Sequence, residues 1–295
     1  MLDWPDARFR MQRTRSGDLA LRRRDGDRGA LLFIHGLGES GLCFERLASD
    51  ARLDGWDHLI PDLPGYGGSS WPQAERLERG LTRHVEALLA LLDRLAIPRA
   101  TVLGHSLGGV LATLLAEAAP ERVAAVINIE GNLSLDDCTA SAFAASQSID
   151  DWLEHGREAL LSQLEEDTTR IAPRRVLRAY AASVQLCDPR AFLVDSRELV
   201  ELSMREELAG RLARLPCPTV YLFGRPHGTG PRSLELLERA GAESHAFEPA
   251  GHWPYLEQPN GFAALVAALL ERFTDEDAAP SAASTSPSAA TETST

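Results

Sequence analysis

The sequence predicts an α/β protein: a mostly parallel central sheet flanked by helices, with a helical cap inserted after the sixth strand. Three observations carry this. Short all-apolar runs, of the kind that form strands buried on both faces, alternate with segments of helical periodicity. A serine bracketed by glycines, Gly104-His105-Ser106-Leu107-Gly108-Gly109, stands between one such run and one such helix. From about Leu133 to Leu212 the strand-like runs vanish, and short, charged helical patterns replace them until Pro216 and Pro218 mark the return to the core.

Taken in order, two alternating segments between Arg8 and Arg24 suggest a hairpin. Its arginines (Arg8, Arg10, Arg13, Arg15, Arg22, Arg23, Arg24) are expected on the solvent face of an edge, where charge discourages edge-to-edge pairing. The run Ala30 to His35 is a buried strand that opens into His35-Gly36-Leu37-Gly38, a glycine-rich loop whose backbone N–H groups can point outward. His58 to Asp62 is a further strand, ending in the turn-rich Asp62-Leu63-Pro64-Gly65-Tyr66-Gly67-Gly68-Ser69. Leu81, Val85, Leu88, Leu89, Leu92 and Leu95 mark an amphipathic helix closed by Pro98. Thr101 to Leu103 is the strand before Ser106, and Leu107, Val110, Leu111, Leu114 and Leu115 continue as a helix up to Pro120. Val123 to Ile129 is the next strand, ending at Glu130-Gly131-Asn132.

Within the cap, Trp152 to Leu164 and Arg174 to Val184 have helical spacing. Thr219 to Phe223 and Ser244 to Phe247 read as the last strands, around a helix at Ser233 to Ala240. The loop Pro249-Ala250-Gly251-His252-Trp253-Pro254 precedes a final helix, Asn260 to Phe273. The expected division is a core of residues 1–131 and 214–274, a cap of 132–213, and a disordered tail of 275–295 rich in Ala, Ser, Pro and Thr.

The 295 residues suffice for one large α/β domain with an insertion, and 44% apolar residues suit a full core. A formal charge of -13 argues against nucleic acid as a partner. The four cysteines (Cys43, Cys138, Cys187, Cys217) lack any paired spacing and read as packing residues in a reducing compartment. The N-terminus has no signal-peptide pattern, and no apolar run is long enough to span a bilayer, so a cytoplasmic location is expected. No nucleotide or metal-ligand motif stands out, and His227 lacks a partner at ligand spacing, so no cofactor is expected. The expected partner is a small-molecule substrate, not a nucleic acid or a membrane, bound by a monomer or homodimer.

His35-Gly36-Leu37-Gly38, the loop from Asp62 to Ser69, the elbow around Ser106 and Gly251-His252 together resemble an α/β-hydrolase of the capped, esterase-like kind. The resemblance runs from about Arg8 to Phe273. It implies Ser106 as nucleophile and His252 as general base, with the backbone amides of Leu37 and Leu107 as the oxyanion hole. The residues agree: serine is a weak nucleophile that needs an imidazole, itself oriented by a carboxylate. Of the other histidines, His35 and His105 are expected to hold loops, His84 and His155 fall on helices, His245 falls in a strand, and His58 precedes one.

The acid departs from the commonest family pattern. Where that pattern has an aspartate, after Thr219 to Phe223, this chain reads Gly224-Arg225-Pro226-His227-Gly228-Thr229-Gly230, with no carboxylate. Some relatives carry the acid one strand earlier, which here is Glu130, with Asp136 and Asp137 as rivals. A carboxylate closing a buried apolar strand is costly unless paired, and a histidine N–H would pair it. Serine at the elbow, where related dehalogenases and epoxide hydrolases have aspartate, predicts an acyl-enzyme formed from an ester, thioester or lactone. A lyase, cyclase or acyltransferase with the same triad, or a hydrolase-derived binding protein, is the alternative. Trp152, Phe143, Phe192 and Met204 are candidate pocket residues in the cap, each also suited to the cap's own core.

Overall fold

The structure is a computed structural model and describes residues 9–13, 19–166 and 172–278. Its centre is an eight-stranded sheet of β1 (Arg10–Arg13), β2 (Ala20–Arg24), β3 (Ala30–Ile34), β4 (Asp57–Pro61), β5 (Ala100–His105), β6 (Val123–Ile129), β7 (Thr219–His227) and β8 (Ser244–Gly251). The spatial order is β1-β2-β4-β3-β5-β6-β7-β8. β1 and β2 form the expected antiparallel hairpin, β2 runs antiparallel to β4, and every later pairing is parallel.

β3 and β5 are buried along their whole length because helices cover both faces, which is why they read as unbroken apolar runs. Their register aligns Ile34, Gly104 and Asn128 across β3, β5 and β6. Two residues further on, at the carboxyl edge, Gly36, Ser106 and Glu130 leave the sheet side by side. This edge is where parallel α/β sheets place their ligands.

The hairpin arginines are not all on the solvent face. Arg22 and Arg24 are buried, which corrects the expectation for those two. Arg22 Nη1 donates to Asp62 Oδ1 at 2.6 Å, and Arg24 donates to Leu53 O and to Asp54. Carboxylates around β4 draw these guanidinium groups inward, because each buried charge has an opposite charge within reach. Asp62 also accepts from the Gly41 and Gly68 amides, so the pair ties the two loops beside the site. Arg10 pairs with Asp25 at the exposed edge; Arg8, Arg15 and the side chain of Arg13 lie outside the described residues.

A helical insertion separates β6 from β7, built from Thr139–Ala145, Arg157–Glu166, Arg174–Gln185, Pro189–Met204 and Leu208–Ala213. Trp152 opens a π-helical turn, Trp152–Gly156, rather than a regular helix. It is fully buried, stacks on Phe192 at 5.1 Å, and donates its indole N–H to Pro189 O. A cluster centred on Asp195 fastens the insertion to the core. Arg83 Nη1 and Nη2 reach its two carboxylate oxygens at 2.6 and 2.7 Å, His84 Nε2 lies at 3.0 Å, and the Tyr66 hydroxyl donates at 2.6 Å.

The final helix is Pro259–Ala278 and overruns the expected end at Phe273, because a helix needs no apolar residue in its last polar turn. Residues 275–278, expected in the tail, are therefore helical. The rest of that tail, 279–295, lies outside the described residues.

Candidate active site

Ser106 sits at a hinge between β5 and the helix Leu107–Ala118, with φ 52° and ψ −119°, a backbone region that L-residues seldom occupy. The turn can be this tight because its glycines let backbones touch. A Cβ on Gly108 would stand 2.0 Å from Ile34 O, and one on Gly104 would stand 2.1 Å from Gly108 O. The Ser106 amide donates to Ile129 O at 2.8 Å, which locks the elbow to β6. Among the described residues, neither the Leu37 nor the Leu107 backbone N–H has a protein acceptor. Two free donors, one of them at a helix N-terminus, flank the serine and suit a developing negative charge.

Glu130 follows β6 with φ 53° and is 1% exposed. Its carboxylate accepts from the Gly224 amide and from Thr229 Oγ1, so the loop without a carboxylate instead supplies hydrogen bonds to one. Glu130 Oε2 faces His252 Nδ1 at 3.4 Å. Burial works against a charged His252, but the hydrogen bond and charge of Glu130, with the charges of Glu39 and Asp137 behind it, raise the pKa above its ordinary 6.5.

The rival acids are engaged elsewhere. Asp137 accepts from the Gly230 and Leu133 amides and from Ser233 Oγ, and Asp136 accepts from the Arg232 amide. Among the described residues the Ser106 hydroxyl has no bond to His252; it donates to Asn132 Oδ1 at 3.5 Å.

Ser106, Glu130, His252 and Leu37 line one cavity of about 190 Å³. The insertion lines it mainly with Leu160, Leu164, Leu177, Tyr180 and Leu199, alongside the polar Thr139, Ser141 and Gln163. The aromatic and methionine candidates are absent from that lining. Trp152 and Phe192 stack on each other, Phe143 is partly buried against the same hydrophobic cluster, and Met204 is 62% exposed. Helical spacing identifies buried residues without telling whether the buried face meets a cavity or a neighbour.

The family model of the alpha/beta hydrolase fold matches residues 29–215. The chain belongs to that family. A pimeloyl-[acyl-carrier protein] methyl ester esterase of Klebsiella pneumoniae is 31% identical over 264 residues, covering 82% of this chain and 93% of the relative. Among solved structures, the enol-lactonase of Burkholderia xenovorans LB400 superposes with a TM-score of 0.69 at 19% identity, over 89% of this chain and all of that one. An esterase of Exiguobacterium antarcticum gives 0.71 at 17%, over 88% and 98%. These likenesses show the fold.

Two residues of this esterase-like α/β-hydrolase site escaped the sequence reading. Asn132 is held by donation from Nδ2 to Asp137 O at 2.7 Å, which leaves Oδ1 as an acceptor facing Ser106. Glu39 lies beneath the glycine loop and is 4% exposed. It accepts from the Gly36 amide at 2.7 Å, the Trp253 indole at 2.7 Å and His105 Nδ1 at 2.8 Å. Its position three residues after Gly36 was the one available signal. His35 and His105 do hold loops. The Leu63 amide donates to His35 Nε2 at 2.9 Å, and His105 Nε2 bonds His252 O at 2.8 Å.

Proposed function

We propose that this chain hydrolyses small, uncharged carboxylic esters or lactones through an acyl-enzyme on Ser106. The observation that carries the reading is the shared cavity, lined by a strained serine, the Leu37 segment and an imidazole beside a buried carboxylate, with the unpaired Leu107 amide next to the serine in the chain. Ser106 Oγ turns from Asn132 to His252, gives its proton to the imidazole and attacks the scissile carbonyl. The amides of Leu37 and Leu107 receive the oxyanion. Glu130 holds His252 with Nδ1–H inward and stabilises the imidazolium that forms. His252 then protonates the departing alkoxide, which leaves as an alcohol, or stays tethered when the substrate is a lactone. Water deprotonated by His252 hydrolyses the acyl-serine and restores the enzyme.

Two features support the substrate class. The cavity is smaller than the roughly 300–1,000 Å³ typical of sites for drug-sized ligands. Its described lining contains four carboxylates (Glu39, Glu130, Asp136, Asp137) against three histidines (His105, His227, His252), with neither lysine nor arginine. A substrate carboxylate would therefore be desolvated beside like charges. The similarity to a methyl ester esterase agrees with a small alcohol as leaving group.

A fluorophosphonate should label Ser106, as read by mass spectrometry, and Ser106→Ala should abolish labelling. Among p-nitrophenyl esters, short neutral acyl groups should exceed a succinyl group of equal length by about 10-fold or more in kcat/KM. An unlabelled Ser106 in folded protein would overturn the mechanism. Equal rates for neutral and anionic acyl groups would overturn the substrate class.

A further inference from the structure

The nucleophile, the oxyanion loop and the base lie on three segments that the chain does not connect locally. Gly36 immediately precedes Leu37, His105 immediately precedes Ser106, and Trp253 immediately follows His252. One carboxylate touches all three neighbours. Glu39 Oε2 accepts from the Gly36 amide and from His105 Nδ1, and Oε1 accepts from the Trp253 indole. His105 then passes the connection on, because its Nε2 donates to the backbone carbonyl of His252 itself. Both ring nitrogens of His105 are engaged, Nδ1 by the Glu39 carboxylate and Nε2 by the His252 carbonyl. Glu39 and His105 thus lie buried together under the site, 4% and 1% exposed.

We propose that Glu39 is a positioning residue for the hydrolysis, acting as the shared acceptor that fixes Ser106, the Leu37 amide and His252 relative to one another. The inference rests on the acyl-enzyme reading above. Glu39 has no bond to the His252 imidazole and leaves the acid's role to Glu130. Its charge is favoured where it stands. Burial would raise its pKa, but the His105 charge and the three donated hydrogen bonds prevail and hold it at about 2.

The number of donors makes the inference testable. Three N–H groups converge on two oxygens, and a carboxylate can accept them all. Glutamine cannot, since one of its ends is an NH2 donor. With its oxygen toward Gly36 and His105, the nitrogen meets the Trp253 N–H head-on. Trp253→Phe removes that N–H while keeping an aromatic ring.

The variants E39Q, W253F and E39Q/W253F are compared with the wild type in the second-order rate of Ser106 labelling by a fluorophosphonate. Steady-state kcat and KM for p-nitrophenyl acetate and the Tm are measured alongside. E39Q should label at least ~10-fold more slowly, since misplacing reacting groups by about 1 Å can cost 10²-fold. The loss should fall on kcat, with KM within about 3-fold. The double variant should label faster than E39Q, although W253F alone is slower than wild type. A residue that only stabilises the fold would lower Tm and leave the labelling rate of folded protein unchanged. Wild-type labelling in E39Q overturns the proposal, and so does a double variant equal to the product of the two singles. Should E39Q not fold, W253F decides: slower labelling at unchanged Tm supports the tie to the base loop, and a wild-type rate overturns it. Absence of labelling in the wild type would instead sink the acyl-enzyme reading itself.

Discussion

Glu130 and Glu39 are both buried carboxylates beside an imidazole, yet the sequence exposes only the first. Glu130 ends a run that is apolar from Val123 to Ile127 and at Ile129, and the loop from Gly224 to Gly230 lacks any competing acid. Polarity at the end of a buried strand is a signal that one sequence can carry. Two of the three partners of Glu39 are 66 and 214 residues away, leaving only its spacing from Gly36 as a local trace, and Asn132 acts through the direction of one amide, which no local pattern records. The Glu130–His252 pair predicts a pH profile with a definite sign. In the proposed mechanism His252 acts as base only when neutral, and its pKa is raised above 6.5, so kcat/KM for a p-nitrophenyl ester should fall as pH drops through a midpoint above 6.5. In Glu130→Gln the groups that raise it are depleted while burial remains. The midpoint should then move to lower pH, and activity on the plateau should fall by about three to four orders of magnitude. An unchanged midpoint would show that another carboxylate orients His252.

At the scale of elements, the strand–elbow–helix unit is set by backbone contact more than by side chains. Gly108 lies in a helix, where alanine would ordinarily stabilise by about 1 kcal/mol. Here the added Cβ would meet Ile34 O at 2.0 Å, and neither the helix nor β3 can yield without breaking the row that holds Gly36 and Ser106. The steric term wins. Gly108→Ala should lose about 3 kcal/mol or more, measured as the shift in urea midpoint, and Ser106 labelling should fall with it. A variant as stable as wild type would mean that the helix is free to slide. The positions of the strands were legible from apolar runs, whereas the ends of β7 and β8 were not. Pro226, Pro249, Gly224 and Gly251 read as loop, but these residues sit at the margin of the sheet. There a register shift between Gly224 and Pro226 absorbs the irregularity, and β8 has no further neighbour needing its amides.

For the whole molecule, the insertion was legible as a stretch without strands, but its fastening was not, because Asp195 on an amphipathic helix reads as one more solvated charge. Folded, it is fully buried between Arg83, His84 and Tyr66, and joins cap to core. Arg83 and His84 hold the Asp195 carboxyl below the usual range against the effect of burial, so its stabilisation is complete above the ordinary Asp range and is lost as pH falls from there through the lowered value. His84 responds earlier. Burial lowers its pKa from 6.5 to about 4 despite Asp195, so the unfolded chain takes up the proton first as the medium acidifies. Stability should therefore decline between pH 6.5 and 4, ahead of any loss from Asp195, and His84→Gln should flatten that part of the Tm–pH curve. Asp195→Asn acts at every pH by leaving Arg83 charged, buried and short of its partner, at a cost of about 3–5 kcal/mol. Because that loss falls on the joint between cap and core, limited proteolysis of Asp195→Asn at pH 7 should cut first within residues 133–213. Cleavage confined to the ends of the chain, with a wild-type Tm, would show that the cap is held by other contacts.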